Sequence, residues 1–172
     1  MLLKNKISKP LFLSVPAGGD AVVASTVTLA GQEIYPEILR GHRYTVPVSP
    51  TARLTLAFSS SAIRERVISR RTEKELSSEF EPNQFSLNLK KIQKNFYEYD
   101  GDAYHAGFSA LVIPIFNHIE VLEAAITILW EKKSCDTKEY NNIFQSAMES
   151  AITISSVLGS KIMVENMQQA CE

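Results

Sequence analysis

The sequence predicts an α+β fold in which helices surround a central antiparallel β-sheet. Two apolar runs, Leu111 to Phe116 and Val121 to Trp130, are rich in β-branched residues and are separated by a short polar step. This pattern is typical of two neighbouring strands joined by a tight turn near the middle of a sheet. From Asp136 onward the apolar residues recur every three or four positions instead, which predicts helix. Strand-forming and helix-forming segments are thus segregated, as in α+β proteins.

The composition is that of a globular protein. The 172 residues are 45% hydrophobic and 22% charged, enough for one domain with a buried core. The formal net charge of -1 argues against a surface built for nucleic-acid phosphates. No apolar run approaches the roughly 20 residues needed to span a bilayer, and the N-terminus lacks the apolar core of a signal peptide. Cys135 and Cys171 fit no metal or redox spacing. We therefore expect a cytoplasmic protein with no membrane partner.

The N-terminal third predicts one further hairpin and an edge segment. Residues 1–9 have little periodicity, so we expect a tail or linker stub there and a single domain over residues 10–172. The runs 11–15 and 21–27 flank a Gly-Gly-Asp turn, whose glycines can supply the positive φ angles of a β-hairpin. Segment 32–44 contains a proline among charged residues, which limits it to an edge strand or an irregular crossing.

Three helices and a loop are predicted in the middle of the chain, and the first helix has a clear start signal. Ser49 can cap free N–H groups and Pro50 is tolerated in a first turn, so a short helix should begin there. Segment 60–71 alternates apolar and charged residues as an amphipathic helix does. Segment 72–82 is charged and predicts a loop. Segment 85–96 again has helical spacing, with Leu89, Ile92 and Phe96 on the predicted inner face.

The C-terminal segment predicts a long amphipathic helix. Its apolar stripe should bury against the sheet or another helix. The stripe consists of Tyr140, Phe144, Ala147, Ala151, Ile154 and Leu158, and is extended by Ile162. Gly159 is expected to kink or shorten this helix, at a cost of about 1 kcal/mol relative to alanine.

Short motifs follow one another in a fixed order along the chain. Gly107 precedes the first central strand, Pro-Ile-Phe-Asn-His ends at His118, and Glu-Ala-Ala-Ile-Thr-Ile begins at Glu123. The earlier motifs of the series are Gly41-His42-Arg43, Ser49-Pro50-Thr51-Ala52-Arg53 and the stretch from Phe96 to Asp100. In order and spacing they resemble the effector-binding domain of IclR-type transcriptional regulators, from Leu11 to Lys161. Arg53 stands where that family has a lysine.

The resemblance implies a GAF/PAS-like fold: a curved antiparallel sheet with a ligand cavity between one sheet face and the adjoining helix and loops. The family uses that cavity to sense small metabolites, commonly organic acids, and its members form homodimers or homotetramers. They bind DNA through an N-terminal winged helix-turn-helix domain. The residues before Leu11 are too few to hold such a domain, so we expect this chain to meet DNA only through a helix-turn-helix domain that it does not itself contain.

Carried over by position, the resemblance implies a pocket of six residues: Pro50, Thr51, Asp100, Ala110, Thr127 and Leu129. The helix beginning at Pro50 would offer its first N–H groups to a carboxylate. Asp100, just before Gly101, would come from the loop that closes the cavity. Ala110 stands where some family members have a cysteine, and Thr127 and Leu129 where some have two serines. The pocket is therefore more apolar than theirs, which favours a bulkier or aromatic acid as the effector.

The residue chemistry itself points to no reaction, metal site or cofactor, so we expect no catalytic residues and no enzyme activity. Two alternatives remain open at this point. The first is a stand-alone GAF-like metabolite-binding protein with no part in transcription. The second is a small hydrolase or isomerase using Asp100 and His105, which would require the two side chains to converge within hydrogen-bonding distance.

Overall fold

The protein folds as a six-stranded antiparallel sheet with helices on both faces, which confirms the predicted α+β class. The computed structural model describes residues 3–28, 39–74, 81–103, 107–132 and 134–170. The strands are β1 (Leu11–Ala17), β2 (Asp20–Val27), β3 (Arg43–Tyr44), β4 (Glu98–Asp100), β5 (Phe108–Phe116) and β6 (Leu122–Glu131). The helices are α1 (Leu3–Ile7), α2 (Pro50–Ala57), α3 (Ser61–Lys74), α4 (Pro82–Asn95), α5 (Thr137–Val157) and α6 (Ile162–Gln169).

The strand order is β3-β2-β1-β6-β5-β4, which places the two predicted hairpins side by side. In the central hairpin β5 pairs with β6 from Phe108 opposite Glu131 to Phe116 opposite Leu122, so the prediction of adjacent antiparallel strands is confirmed. In the N-terminal hairpin β1 pairs with β2. The turn between them holds Gly18 and Gly19 at φ angles of 68° and 102°, a conformation that favours glycine.

The two faces of the sheet are covered by different helices. Successive residues of a strand point to opposite faces, so Thr127 and Trp130 of β6 lie on opposite sides. The hydroxyl of Thr127 contacts Thr51 of α2. The ring of Trp130 packs against that of Tyr140 in α5, with the ring centres 6.2 Å apart. The sheet is therefore sandwiched between α2 on one face and α5 on the other.

Helix α2 begins where the serine-proline signal predicts. Ser49 is the N-cap, and its Oγ accepts a hydrogen bond of 3.3 Å from the backbone N–H of Ala52. Pro50 takes the first helical position, where its missing N–H costs nothing. All residues of α2 except Arg53 are buried, so this short helix is held by packing on the sheet rather than by helix propensity.

The end of the C-terminal stripe differs from the prediction. Helix α5 ends at Val157, and the side chains of Ile154, Leu158 and Ile162 are 40%, 39% and 60% exposed. The Oγ of Ser155 accepts a hydrogen bond from the backbone N–H of Phe116, the last residue of β5. The buried face of α5 therefore follows Ile143, Ala147, Ala151 and Ser155 at intervals of four residues, and Ile154 and Leu158 lie off it.

The N-terminal residues also differ from the expected tail. Leu3 to Ile7 form α1, which packs on α5, and Ile7 is only 3% exposed. The Nζ of Lys9 lies 2.9 Å from Oε1 of Glu139 in α5. Leu3 and Ile7 are four residues apart and so share one helical face, a signal that the intervening polar residues obscured.

The remaining predicted helices are present with changed bounds. Helix α4 covers the predicted segment, and Leu89, Ile92 and Phe96 are buried as expected. Helix α3 extends to Lys74, three residues into the predicted loop, while residues 75–80 of that loop lie outside the described residues. Of segment 32–44, only 39–44 are described, and they contain the edge strand β3. Within the described ranges no helix is long and apolar enough to cross a membrane.

The turn between β5 and β6 is tied to the start of α6 by one carboxylate. Glu120 accepts hydrogen bonds from the backbone N–H groups of Lys161, Ile162 and Met163 at 2.8, 3.2 and 3.0 Å. It also accepts one of 2.6 Å from the hydroxyl of Ser160. Four hydrogen bonds lower the pKa of Glu120 to about 2, and the one donated by the backbone N–H of Lys161 has the largest effect. A residue 41 positions away thus caps α6.

We expect Glu120→Gln to lower the melting temperature at pH 7 by about 3 °C. Because the folded-state pKa of Glu120 lies below its ordinary value of 4.5, the unfolded chain takes up the proton first on acidification. The stabilisation is therefore present above about pH 4.5 and is lost as the pH falls towards 2. Melting curves from pH 7 to pH 2.5 should show a smaller loss of stability for the variant. Glu131→Gln, at an exposed carboxylate, is the control, and equal acid sensitivity in parent and Glu120→Gln would contradict the assignment.

Candidate functional site

The register of the sheet brings the predicted pocket residues of three strands together on one face. Asp100 lies opposite Ala110 in the β4–β5 pair, and Ala110 lies opposite Leu129 in the β5–β6 pair. Residues directly opposite one another point to the same face, and so do residues two apart in a strand. Asp100, Ala110, Leu129 and Thr127 therefore all face α2, as the alternation of the central hairpin requires.

The start of α2 contacts this face through a pair of hydroxyl groups. The Oγ1 atoms of Thr51 and Thr127 are 2.9 Å apart, and both side chains are fully buried. The hydroxyl of Thr55 donates to the carbonyl of Thr51 one turn earlier, at 2.9 Å. Around the pair lie the apolar side chains of Ala110 and Leu129, which are 0% and 5% exposed. The result is a small polar pair in an otherwise apolar layer.

The first-turn N–H groups of α2 are partly used by the protein itself. Pro50 has no N–H to offer, and that of Ala52 is bound by the Ser49 hydroxyl. The N–H of Arg53 donates to the carbonyl of Ser49 at 2.9 Å, as in any helix. The anion site expected at this helix start thus has fewer donors than a helix start without a capping serine.

Arg53 organises the polar side of the site. Its Nε donates to Oε1 of Glu98 and its Nη2 to Oδ2 of Asp100, both at 2.7 Å. Its Nη1 donates to the carbonyl oxygens of Pro47 and Val48 at 3.0 and 2.8 Å. The planar guanidinium can serve several acceptors at fixed angles, which a lysine ammonium cannot do. We call Arg53, Glu98 and Asp100 the charge triad.

The charge triad is largely buried and holds two acids for one base. The side chain of Arg53 is 13% exposed and that of Glu98 is 10% exposed. Burial raises the pKa of Glu98, and this outweighs the attraction of Arg53. Burial alone would lower the pKa of Arg53, but the two carboxylates more than offset it and raise that pKa. Arg53 therefore stays charged, and Glu98 is the acid of the triad whose ionised form burial opposes.

Asp100 has a different setting from the one expected. It was predicted to lie in a loop that closes a cavity, but it is the last residue of β4. Its Oδ2 is bound by Arg53, and its Oδ1 accepts a hydrogen bond of 2.9 Å from the backbone N–H of Asp102. Arg53 and Glu98 were not predicted as site residues. The alternation Glu98-Tyr99-Asp100 could have indicated two acids on one strand face in need of a cation.

A groove of about 310 Å³ lies between α4 and β4, and Glu98 is one of its lining residues. Tyr97, Tyr99 and Lys91 also line it. The groove therefore reaches the charge triad from outside. His105, the partner that a hydrolase would need for Asp100, lies outside the described residues.

Solved structures of regulators share this arrangement of sheet and helices. The Thermotoga maritima IclR matches with a TM-score of 0.76 at 18% identity, covering 92% of this chain and 64% of that one. Pseudomonas aeruginosa HmgR matches with a TM-score of 0.78 at 16% identity, covering 92% and 63%. The Agobacterium tumefaciens repressor BlcR matches with a TM-score of 0.72 at 17% identity, covering 92% of this chain and 63% of that one. This chain thus spans a little under two thirds of each of these proteins, and identities this low show the fold alone.

Sequence comparison shows the family of the chain as well as its fold. No curated protein matches the chain significantly. A family model, however, described as bacterial transcriptional regulator IclR C-terminal, matches residues 18–156. The matched range runs from the turn between β1 and β2 into the last turn of α5, and so contains α2, the charge triad and the central hairpin. With most of its length matched in this way, the chain belongs to the IclR family of bacterial transcriptional regulators, as an effector-binding domain of that family.

Proposed function

We propose that this domain senses a small organic acid, of bulky or aromatic type, bound between α2 and the sheet. The contacts would come from the loop and first turn of α2 and from the facing strands. They are Pro50, Thr51, Asp100, Ala110, Thr127 and Leu129. Ligand occupancy would change the state or geometry of a homodimer or homotetramer. The signal would reach DNA through a helix-turn-helix domain of the regulator rather than through the residues of this domain.

The observation that carries the proposal is the buried hydroxyl pair of Thr51 and Thr127. A hydroxyl can donate one hydrogen bond and accept others. One of the two hydroxyls donates to the other. A carboxylate placed beside them could accept charge-assisted hydrogen bonds from both. The apolar side chains of Ala110 and Leu129 would then surround the hydrocarbon part of the ligand.

The charge triad limits where the acid group of the ligand could lie. An isolated aspartate at position 100 would repel a carboxylate. Here Asp100 is paired with Arg53 at 2.7 Å, and its second oxygen is occupied by the N–H of Asp102. Its charge is therefore only partly compensated, because Arg53 is shared with Glu98. Asp100 would orient a hydroxyl or amide of the ligand, while the acid group would lie nearer the threonines.

Thermal-shift screening of the chain with aromatic and aliphatic carboxylates tests the proposal. At a concentration of about 100 times the Kd a ligand adds about 2.7 kcal/mol to the stability of the folded state. Thr127→Val removes one hydroxyl at nearly constant shape. We expect it to weaken the best carboxylate about tenfold, or about 1.4 kcal/mol. Ile128→Val, on the neighbouring residue of the same strand and the opposite face, is the control and should leave the affinity unchanged.

Two further variants separate the contacts. Leu129→Ser should shift the preference towards smaller hydroxy or keto acids, because it exchanges apolar area for a hydrogen-bonding group. Asp100→Ala removes both carboxylate oxygens and should weaken binding of a ligand that has a hydroxyl or amide group. Unchanged affinity in Asp100→Ala would remove Asp100 from the site. Failure of every carboxylate in the panel to stabilise the parent chain, or equal losses in Thr127→Val and Ile128→Val, would contradict the proposal.

A further inference from the structure

The groove between α4 and β4 has a polar lining, unlike the cavity proposed beneath α2. Its volume of about 310 Å³ is that of a pocket for a small molecule. Asn88, Lys91 and Asn95 line it from α4, where they lie three and four residues apart and so share one helical face. Glu98 lines it from β4. Two amides and two opposite charges thus meet in one groove, and the carboxylate is the most buried of the four groups.

One carboxylate oxygen of Glu98 is available to a ligand. Oε1 accepts the hydrogen bond from Nε of Arg53, and within the described residues no hydrogen bond is formed to Oε2. In that part of the chain no fully buried polar side-chain atom lacks a partner, so Oε2 is in contact with solvent. The side chain of Glu98 is nevertheless only 10% exposed. A carboxylate this buried, with one open oxygen in a groove, is stabilised by any cation that binds there.

The charges around Glu98 do not balance. The charge triad contains two acids, and Arg53 is the base that both of them share. Burial raises the pKa of Glu98, and the attraction of Arg53 and of Lys91 offsets this effect only in part. Lys91 and Glu98 are both described, yet they form no ion pair with each other. The groove therefore separates a positive group on α4 from a negative group on β4.

We propose that this groove binds a small zwitterion, namely an amino acid, with its ammonium group at Oε2 of Glu98 and its carboxylate at Lys91. The ligand would supply the second cation that the charge triad lacks. Lys91 is exposed and its long side chain is free to turn towards the ligand carboxylate. The amides of Asn88 and Asn95 can donate to the carboxylate and accept from the ammonium group.

A ligand with a single charge fits the groove less well. An acid without an amine would meet the uncompensated carboxylate of Glu98, and an amine without an acid would meet the ammonium group of Lys91. The inference is independent of the ligand proposed beneath α2, since neither Thr51 nor Thr127 lines this groove.

Thermal-shift screening of the chain with the standard L-amino acids at about 10 mM tests the groove. Calorimetry then compares the most stabilising amino acid with the same molecule lacking its amine and with the same molecule lacking its carboxylate. We expect each of these to bind at least about tenfold more weakly. Lys91→Gln and Glu98→Gln each remove one of the two charges and should also weaken the amino acid about tenfold. Lys94→Gln is the matched control, because Lys94 is an exposed lysine of the same helix that does not line the groove.

Each outcome decides the proposal. A loss of affinity in Lys91→Gln and Glu98→Gln, with none in Lys94→Gln, supports it, provided that melting curves show all three variants to be folded. Failure of every amino acid to bind overturns it, as does equal affinity in the parent and in Lys91→Gln. Equal binding of the molecule lacking its amine, or a loss of amino-acid affinity in Thr127→Val, would assign the ligand to the cavity beneath α2 and also overturn it. The carboxylate screen is read with Thr127→Val and the amino-acid screen with Lys91→Gln, so either proposal can fail alone.

Discussion

Replacing Arg53 with methionine is expected to lower the free energy of unfolding at pH 7 by about 3–5 kcal/mol. Methionine keeps much of the side-chain volume but removes the cation, so Glu98 and Asp100 would remain near each other without a counter-charge. The side chain of Glu98 is 10% exposed, and that of Asp100 is 24% exposed, so water can compensate only part of the loss. The carbonyl groups of Pro47 and Val48 also lose their donor. Urea unfolding of parent and variant measures the difference.

Glu98→Gln is the informative partner of this variant. Because burial raises the pKa of Glu98, its charge is unfavourable in the fold, and glutamine still offers an oxygen to Nε of Arg53. We therefore expect Glu98→Gln alone to change stability by no more than about 1 kcal/mol. In the Arg53→Met background it should recover part of the loss, because it removes one of two unpaired acids. A double-mutant cycle with no coupling between positions 53 and 98 would contradict this account of the charge triad.

Phe116→Ala is expected to cost about 3–5 kcal/mol of stability. Phe116 is fully buried at the end of β5, and its ring packs edge-on against Phe58 and Phe96, with ring centres 5.1 and 6.1 Å apart. Alanine would leave a cavity between β5 and the ends of α2 and α4, and the rigid aromatic neighbours would fill it poorly. Thermal or urea unfolding measures the loss.

A matched control separates cavity formation from the loss of apolar surface in general. Leu87 lies on α4 with its side chain 58% exposed, so Leu87→Ala should change stability by less than about 0.5 kcal/mol. Phe116→Leu should fall between the two, because it keeps most of the volume. A loss below about 1 kcal/mol in Phe116→Ala would show that the aromatic cluster is not a structural centre of this fold.

The parts of the fold that depend on local signals were predictable from the sequence. The β-branched runs around residues 117–121 predicted the central hairpin, and Ser49-Pro50 predicted the start of α2. Both signals act over a few residues, and both elements form where they were expected. The shared face of Ala110, Thr127 and Leu129 followed from strand alternation once the hairpin register was assumed.

The charge triad was not predictable in the same way, because Arg53 lies 45 residues from Glu98 and 47 residues from Asp100 in the sequence. Arg53 appeared only as a departure from the lysine of related proteins, and Glu98 did not appear at all. The exposed ends of the C-terminal stripe were missed for a different reason. Helical spacing allows more than one apolar stripe along a long helix and does not show which stripe meets the sheet. The buried side of α5 follows Ile143, Ala147, Ala151 and Ser155, so Ile154 and Leu158 are left exposed.

The central claim is that a ligand binds between α2 and the sheet, and methyl-resolved NMR tests it most directly. Ala110, Thr127 and Leu129 carry methyl groups on the sheet face beneath α2, and Thr51 carries one on α2 itself. Ala147 and Ala151 of α5 provide buried methyl groups on the opposite face. The chain would be titrated with the carboxylate that stabilises it most. The account predicts large shift changes at these four methyl-bearing residues between α2 and the sheet, with little change at the two alanines of α5. Saturating binding that leaves the four unperturbed, or that perturbs chiefly the α5 face, would contradict it.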